Sequence, residues 1–138
     1  ALGRLETAEP GSRLAGLREV LMGFAPPRFG AVFPRSGNRS LNGSQHRAID
    51  MALAAQDGAL ILGPPGTGKT TTLVEAIALT VADEGQTLVA APSNTAVDLL
   101  AERLAERGIQ VVRLGHPVRV GEALQTLTLD ARLAAHPM

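Results

Sequence analysis

The chain has 138 residues, 45% of them hydrophobic, with thirteen basic against thirteen acidic side chains and no cysteine, tryptophan or tyrosine. That length bounds it to one ordinary domain at most, with a core built from Leu, Val, Ile and Ala rather than aromatics. The composition excludes disulfides and thiolate metal sites, the zero net charge gives no bulk attraction to nucleic acid, and no apolar run approaches the ~20 residues of a membrane span.

Three scattered histidines, His46, His116 and His136, form no metal-ligand spacing, so no zinc is expected. No signal-peptide pattern opens the chain, and we expect a cytoplasmic protein without a membrane segment. The first residue is Ala1 rather than Met, which leads us to expect a chain processed or cut from something longer.

Residues 1–41 differ in character from the rest. Ser12 is placed to cap a helix whose apolar positions Leu14, Leu17, Val20 and Leu21 share a face, with Gly23 as its stop. The stretch that follows, with Pro26, Pro27, Gly30, Pro34 and Gly37, is too broken for more than a short extended piece at Ala31–Phe33. Six arginines against three glutamates leave the region at +3, which reads as a solvated linker or, less simply, a nucleic-acid arm.

Residues 42–138 carry the organised part. Asn42 or Ser44 can cap a helix with Ala48, Ile49, Ala52 and Leu53 on one face. Apolar runs at Ala59–Leu62, Thr87–Ala91 and Ile109–Leu114 read as strands. Between them lie a helix from Lys69 to about Ala82, with Leu73, Ile77 and Val81 inward, and another with Val97, Leu100, Ala101 and Leu104 inward and Gly108 as its stop. Gly121 to about Ala135 reads as one last helix. Strand–helix alternation of this kind predicts an α/β fold, a parallel sheet with right-handed crossovers, flanked by helices.

The chemistry concentrates at Gly63-Pro64-Pro65-Gly66-Thr67-Gly68-Lys69-Thr70, followed by Thr71. Gly, four residues, then Gly-Lys-Thr between a strand and a helix is the P-loop pattern. Glycines let consecutive N–H groups turn toward one anion, and the helix start adds its positive dipole end. Lys69 suits the β- and γ-phosphates of ATP and the Thr70 hydroxyl suits Mg²⁺. Pro64 and Pro65 stiffen the entrance. The bland alternative, a Gly-rich turn beside a lysine, is disfavoured because Lys69 is the only lysine against twelve arginines.

Hydrolysis also needs an acidic pair at the end of an apolar strand. Asp83-Glu84 continues the helix begun at Lys69, about 20 Å away along its axis, and Asp130 falls in the last predicted helix. Neither serves, and we expect the acid-bearing strand to lie beyond Met138.

Four blocks in order, Leu41–Ile49 with Gln45, Gly63–Thr70, Ala91–Leu100 with Pro92-Ser93-Asn94-Thr95 and Asp98, and Val112–Arg119, resemble superfamily 1B helicases, in the branch of the nonsense-mediated-decay and immunoglobulin μ-binding helicases. Thr128-Leu129-Asp130 is also similar to that branch. The resemblance implies a P-loop NTPase with part of a RecA-like sheet at 42–138, preceded at 1–41 by the tail of an accessory domain. It implies that Gln45 reads adenine, that Ser93, Asn94 and Thr95 contact single-stranded DNA or RNA through its phosphates, that Asp98 orients their loop, and that Arg119 meets a phosphate. Without the resemblance, Gln45 is a helix-start glutamine, Pro-Ser-Asn-Thr an N-cap and Arg119 a loop arginine.

The family's acidic magnesium motif, polarity-sensing glutamine, second RecA-like domain and arginine fingers have no counterpart in these residues. The expected function is therefore the ATP-binding segment of an ATP-dependent helicase or translocase, incomplete for hydrolysis. The alternatives are a stand-alone nucleotide-binding module, such as a small-molecule kinase, and a non-catalytic gene fragment. A guanine-specific Asn-Lys-x-Asp signature is absent.

Overall fold

The computed structural model describes residues 7–116 and 119–135. His136, Pro117 and Val118, which entered the expectations above, lie outside the described residues. The chain divides into two compact units, Ala1–Thr67 and Gly68–Met138.

In the first unit, α1 spans Arg13–Leu21 and starts where expected, with the Ser12 hydroxyl accepting from the Ala15 amide at 3.2 Å. It ends in a Schellman turn: Phe24 N–H donates to Glu19 and Gly23 N–H to Val20, with Gly23 at φ +77°. The expected apolar face is only partly inward. Ala15 is buried, whereas Leu14 and Leu21 are exposed. Helix α2, Gly43–Ala54, opens with a reciprocal capping box between Asn42 and Gln45 and buries Ile49 completely. The irregular stretch after α1 is fastened to the end of α2. Gly30 N–H donates to Ala54 and Gln56 N–H to Arg28, around an antiparallel bridge between Phe29 and Ala55. The Arg28 guanidinium grips both Asp57 oxygens at 2.7 and 2.9 Å, and that pairing lowers the Asp57 pKa to about 2.

The second unit packs α3, Lys69–Glu84, against α4, Asn94–Glu106. Val74, Ile77, Leu100 and Leu104 form the core, with Val81, Val89, Ala91, Ile109 and Val111 packed on it. The inward stripe of α3 therefore runs through Val74, Ile77 and Val81, while Leu73, expected inside, is 40% exposed. Glu75 is buried on the same helix and paired with Arg107 at 2.6 Å. Gly85 and Gly108, at φ +71° and +76°, stop the two helices. After α4 the turn is again of Schellman type, with Ile109 N–H donating to Leu104.

The last expected helix is two pieces: a 3₁₀ segment, Glu122–Leu127, and α5, Leu129–Ala134. Thr128 separates them. Its backbone is extended, its hydroxyl donates to the Gln125 carbonyl at 2.7 Å and accepts from Ala131 N–H at 3.3 Å, so one side chain closes one helix and opens the next.

Among the described residues no strand ladder forms at 59–62, 87–91 or 109–114. A parallel bridge joins Arg113 to Thr128, and the buried Thr87 hydroxyl has no partner among the described residues. Two-residue alternation nevertheless persists in the second unit. Val89, Ala91, Ile109 and Val111 pack on α3 and α4, while Leu88, Val112 and Leu114 are exposed. Alternation is a local property of extended backbone, whereas a ladder depends on neighbours distant in sequence.

Candidate functional site

Residues 63–67 belong to the first unit. Gly66 turns the loop at φ +81°, where a Cβ would be strained though no atom would touch it. Thr67 points its hydroxyl back to the Pro64 carbonyl at 2.8 Å, closing a tight turn. The Thr67 carbonyl is held in turn by Gln45 Nε2 at 3.2 Å. Gln45 Oε1 accepts from the Asn42 amide at 2.8 Å, so both ends of its side chain are engaged and the orientation of the amide is set. Each end still has capacity, one hydrogen on Nε2 and one lone pair on Oε1.

Gly68 opens the second unit as the N-cap of α3, left-handed at φ +77° and with no side-chain cap. The Thr72 amide and hydroxyl both donate to the Gly68 carbonyl, at 2.9 and 3.0 Å. Lys69, Thr70 and Thr71 are exposed on the first turn. An uncapped first turn with glycine before it is chemistry suited to an anion. Asp83 lies in the last turn of the same unbroken helix, far from Lys69.

At the start of α4, Ser93 is the N-cap, its hydroxyl accepting from Ala96 N–H at 3.2 Å. Thr95 is exposed beside it. Asn94 accepts a hydrogen bond from Arg113 Nη2 at 3.1 Å. Arg113 is only 5% exposed, and its Nε donates to Asp98 Oδ1 at 2.7 Å. Its Nη1 donates to the Leu114 carbonyl. The other Asp98 oxygen accepts from Gly121 N–H at 3.0 Å. The Arg113 guanidinium and that amide hold the Asp98 carboxyl below the usual carboxylate range against its burial. Arg119 is exposed, and its N–H donates to the His116 carbonyl at 2.9 Å.

A family described as an AAA domain matches residues 40–138. DNA-binding protein SMUBP-2 of Rattus norvegicus is 47% identical over 122 residues, which are 87% of this chain and 12% of that protein. DNA polymerase alpha-associated DNA helicase A of Schizosaccharomyces pombe is 46% identical over 67% of the chain and 14% of its own length. Regulator of nonsense transcripts 1 homolog of Arabidopsis thaliana is 43% identical over 75% of the chain and 8% of its own length.

The chain belongs to the AAA-domain family of superfamily 1 helicases.

This family has the P-loop NTPase fold, and the chain spans about an eighth of the length of the SMUBP-2 relatives it matches. Within this AAA-domain segment, sequence reasoning singled out Ser93, Asn94, Thr95 and Asp98, and the structure gathers Asn94 and Asp98 onto one guanidinium. It missed Arg113. A signal was available: Arg113 shares the parity of Ile109 and Val111, so alternation turns a cation inward, where it needs a carboxylate. No helix among the described residues is long and apolar enough to cross a membrane.

Proposed function

We propose that this segment binds ATP for a nucleic-acid helicase or translocase of the cytoplasm and engages the single strand beside it, without hydrolysing ATP on its own. The reading rests above all on the P-loop sequence lying where Gly66 and Gly68 are left-handed and a helix starts at Lys69 behind a glycine N-cap. In it, Gly63, Pro65, Gly66, Thr67, Gly68, Lys69, Thr70 and Thr71 hold the phosphates through backbone N–H groups, the Lys69 ammonium and hydroxyls. Gln45 offers its remaining donor and acceptor to adenine, whose N6 and N7 are the matching pair. Among the described residues no three His, Cys, Asp or Glu cluster to hold a metal ion. That donor set fits Mg²⁺ arriving with the phosphates and taking only the Thr70 hydroxyl from the protein. When bound, the ion would neutralise charge on the phosphate oxygens.

Ser93, Asn94, Thr95 and Arg119 are the groups for a strand of DNA or RNA, with the backbone phosphates as their targets. The relatives' names supply both chemistries, DNA for the rat protein and transcripts for the plant one. We further propose that the complete domain carries the parallel RecA-like sheet, with 42–138 as its first part and 1–41 as the tail of an accessory domain. The alternating burial of Val89, Ala91, Ile109 and Val111 favours this reading.

Thermal melting with and without Mg-ATP tests the nucleotide reading. Binding at a hundredfold over Kd adds about 2.7 kcal/mol, a clear rise in Tm. The rise should vanish in Lys69→Ala. No rise in the unaltered chain, or the same rise in the variant, contradicts the reading.

A further inference from the structure

We propose that Arg113 is a positioning residue for the nucleic-acid strand: anchored by Asp98, it grips the Asn94 side chain by its oxygen and so presents the Asn94 amide group outward as a hydrogen-bond donor to a phosphate or sugar oxygen. This rests on the reading of Ser93–Thr95 as the strand-contacting loop.

The orientation follows from chemistry. Arginine carries donors and no acceptor, so the Asn94 atom 3.1 Å from Arg113 Nη2 is Oδ1, and the opposite atom is the NH₂. An asparagine side chain left to itself turns about its last torsion between two nearly equivalent settings. The guanidinium selects one. Asn94 is exposed while Arg113 is buried, so the donor faces out from a cation that solvent does not reach.

The grip is itself fixed on several sides. Arg113 Nε meets Asp98 Oδ1 at 2.7 Å, Nη1 meets the Leu114 carbonyl, and the backbone N–H of Arg113 donates to Leu127 at 2.7 Å. Asp98 Oδ2 is taken by Gly121 N–H at 3.0 Å. Gly115 leaves room for the fork, since a Cβ there would lie 2.9 Å from Nη1. Lysine has neither the fork nor the reach to serve Asp98, Leu114 and Asn94 together. A pre-set donor loses less freedom when it binds, which is where the affinity arises.

Two other roles for Arg113 make different predictions: a staple that only stabilises α4, and a direct phosphate contact. Fluorescence anisotropy of the chain with a short fluorescein-labelled oligothymidylate, across a range of salt, separates them, with melting as a check on folding. Arg113→Lys should weaken binding about tenfold, as expected for one charge-assisted contact, without changing the slope of log K against log salt. Arg119→Ala, which removes a cation facing the strand, should lower that slope by about one. Asn94→Asp keeps an acceptor for Arg113 but replaces the outward donor with an anion. It should retain the melting temperature and lose binding by at least about tenfold, and Arg113→Lys should then cost nothing further.

Asn94→Asp that binds like the unaltered chain overturns the inference, as does a further loss of binding when Arg113→Lys is added to Asn94→Asp, the result a direct phosphate contact would give. If binding survives Asn94→Asp but falls with Thr95→Ala, the inference fails while the strand-loop reading stands. If the unaltered chain binds no oligothymidylate, both fail. Should Arg113→Lys not fold, Asn94→Asp alone decides.

Discussion

Each unit pairs an aspartate with an arginine, and the two pairs do different work. Arg28 is mostly exposed and clips an irregular stretch to the end of α2 through Asp57. Arg113 is buried, and its Nε and Nη2 bonds reach Asp98 and Asn94 in the loop and helix proposed to meet nucleic acid. The Arg28 guanidinium can swing into water and leave the Asp57 carboxylate, its side chain 4% exposed, to the Arg28 backbone N–H, whereas Arg113 without Asp98 is a buried cation left uncompensated. The same chemistry is a fastening in one place and a structural obligation in the other.

The comparison is broken most sharply by removing Asp98. Asp98→Ala should destabilise the second unit by about 3–5 kcal/mol, seen as a fall in the urea midpoint, because the Arg113 charge then stays buried alone. Next comes Gly115→Ala, which forces a Cβ to 2.9 Å from Arg113 Nη1 at a backbone φ of +149°. It should cost about 1–3 kcal/mol by the same measurement. The smallest effect belongs to the exposed fork and shows in acid. The Asp57 pKa is lowered to about 2 in the folded chain, against an unfolded value of about 3.9. A depressed carboxylate contributes stability that is present above the unfolded value and lost as pH falls toward the folded one. Melting followed from pH 5 down to about 2 should therefore show a loss that is smaller in Arg28→Ala, the variant melting below the unaltered chain at neutral pH and converging with it near pH 2.

What could be read from the sequence was the local chemistry. Ser12, Asn42 and Ser93 cap helices, and Gly23 and Gly108 stop them, because a cap is decided within a few residues. The same locality failed at Thr128, whose hydroxyl offered the backbone a competing set of bonds inside a periodic stretch. Leu73 failed for a geometric reason, since i, i+4 spacing suits two adjacent faces of a helix and Val74 took the inner one. The extended segments showed their alternation but not their pairing, which no single segment encodes. At the candidate site, the left-handed turns at Gly66 and Gly68 were legible because they lie in one contiguous string. Arg113 was not, because its partners Asn94, Asp98 and Leu127 converge on it from distant positions.

The most direct test of the nucleotide reading is an ¹⁵N amide spectrum of the chain titrated with Mg-ATP. Our account predicts that the largest shifts fall on Gly63, Gly66, Thr67, Gly68, Lys69 and Thr70, together with the Gln45 side-chain amide. Saturating Mg-ATP that leaves those signals in place, or moves a different set, would contradict it.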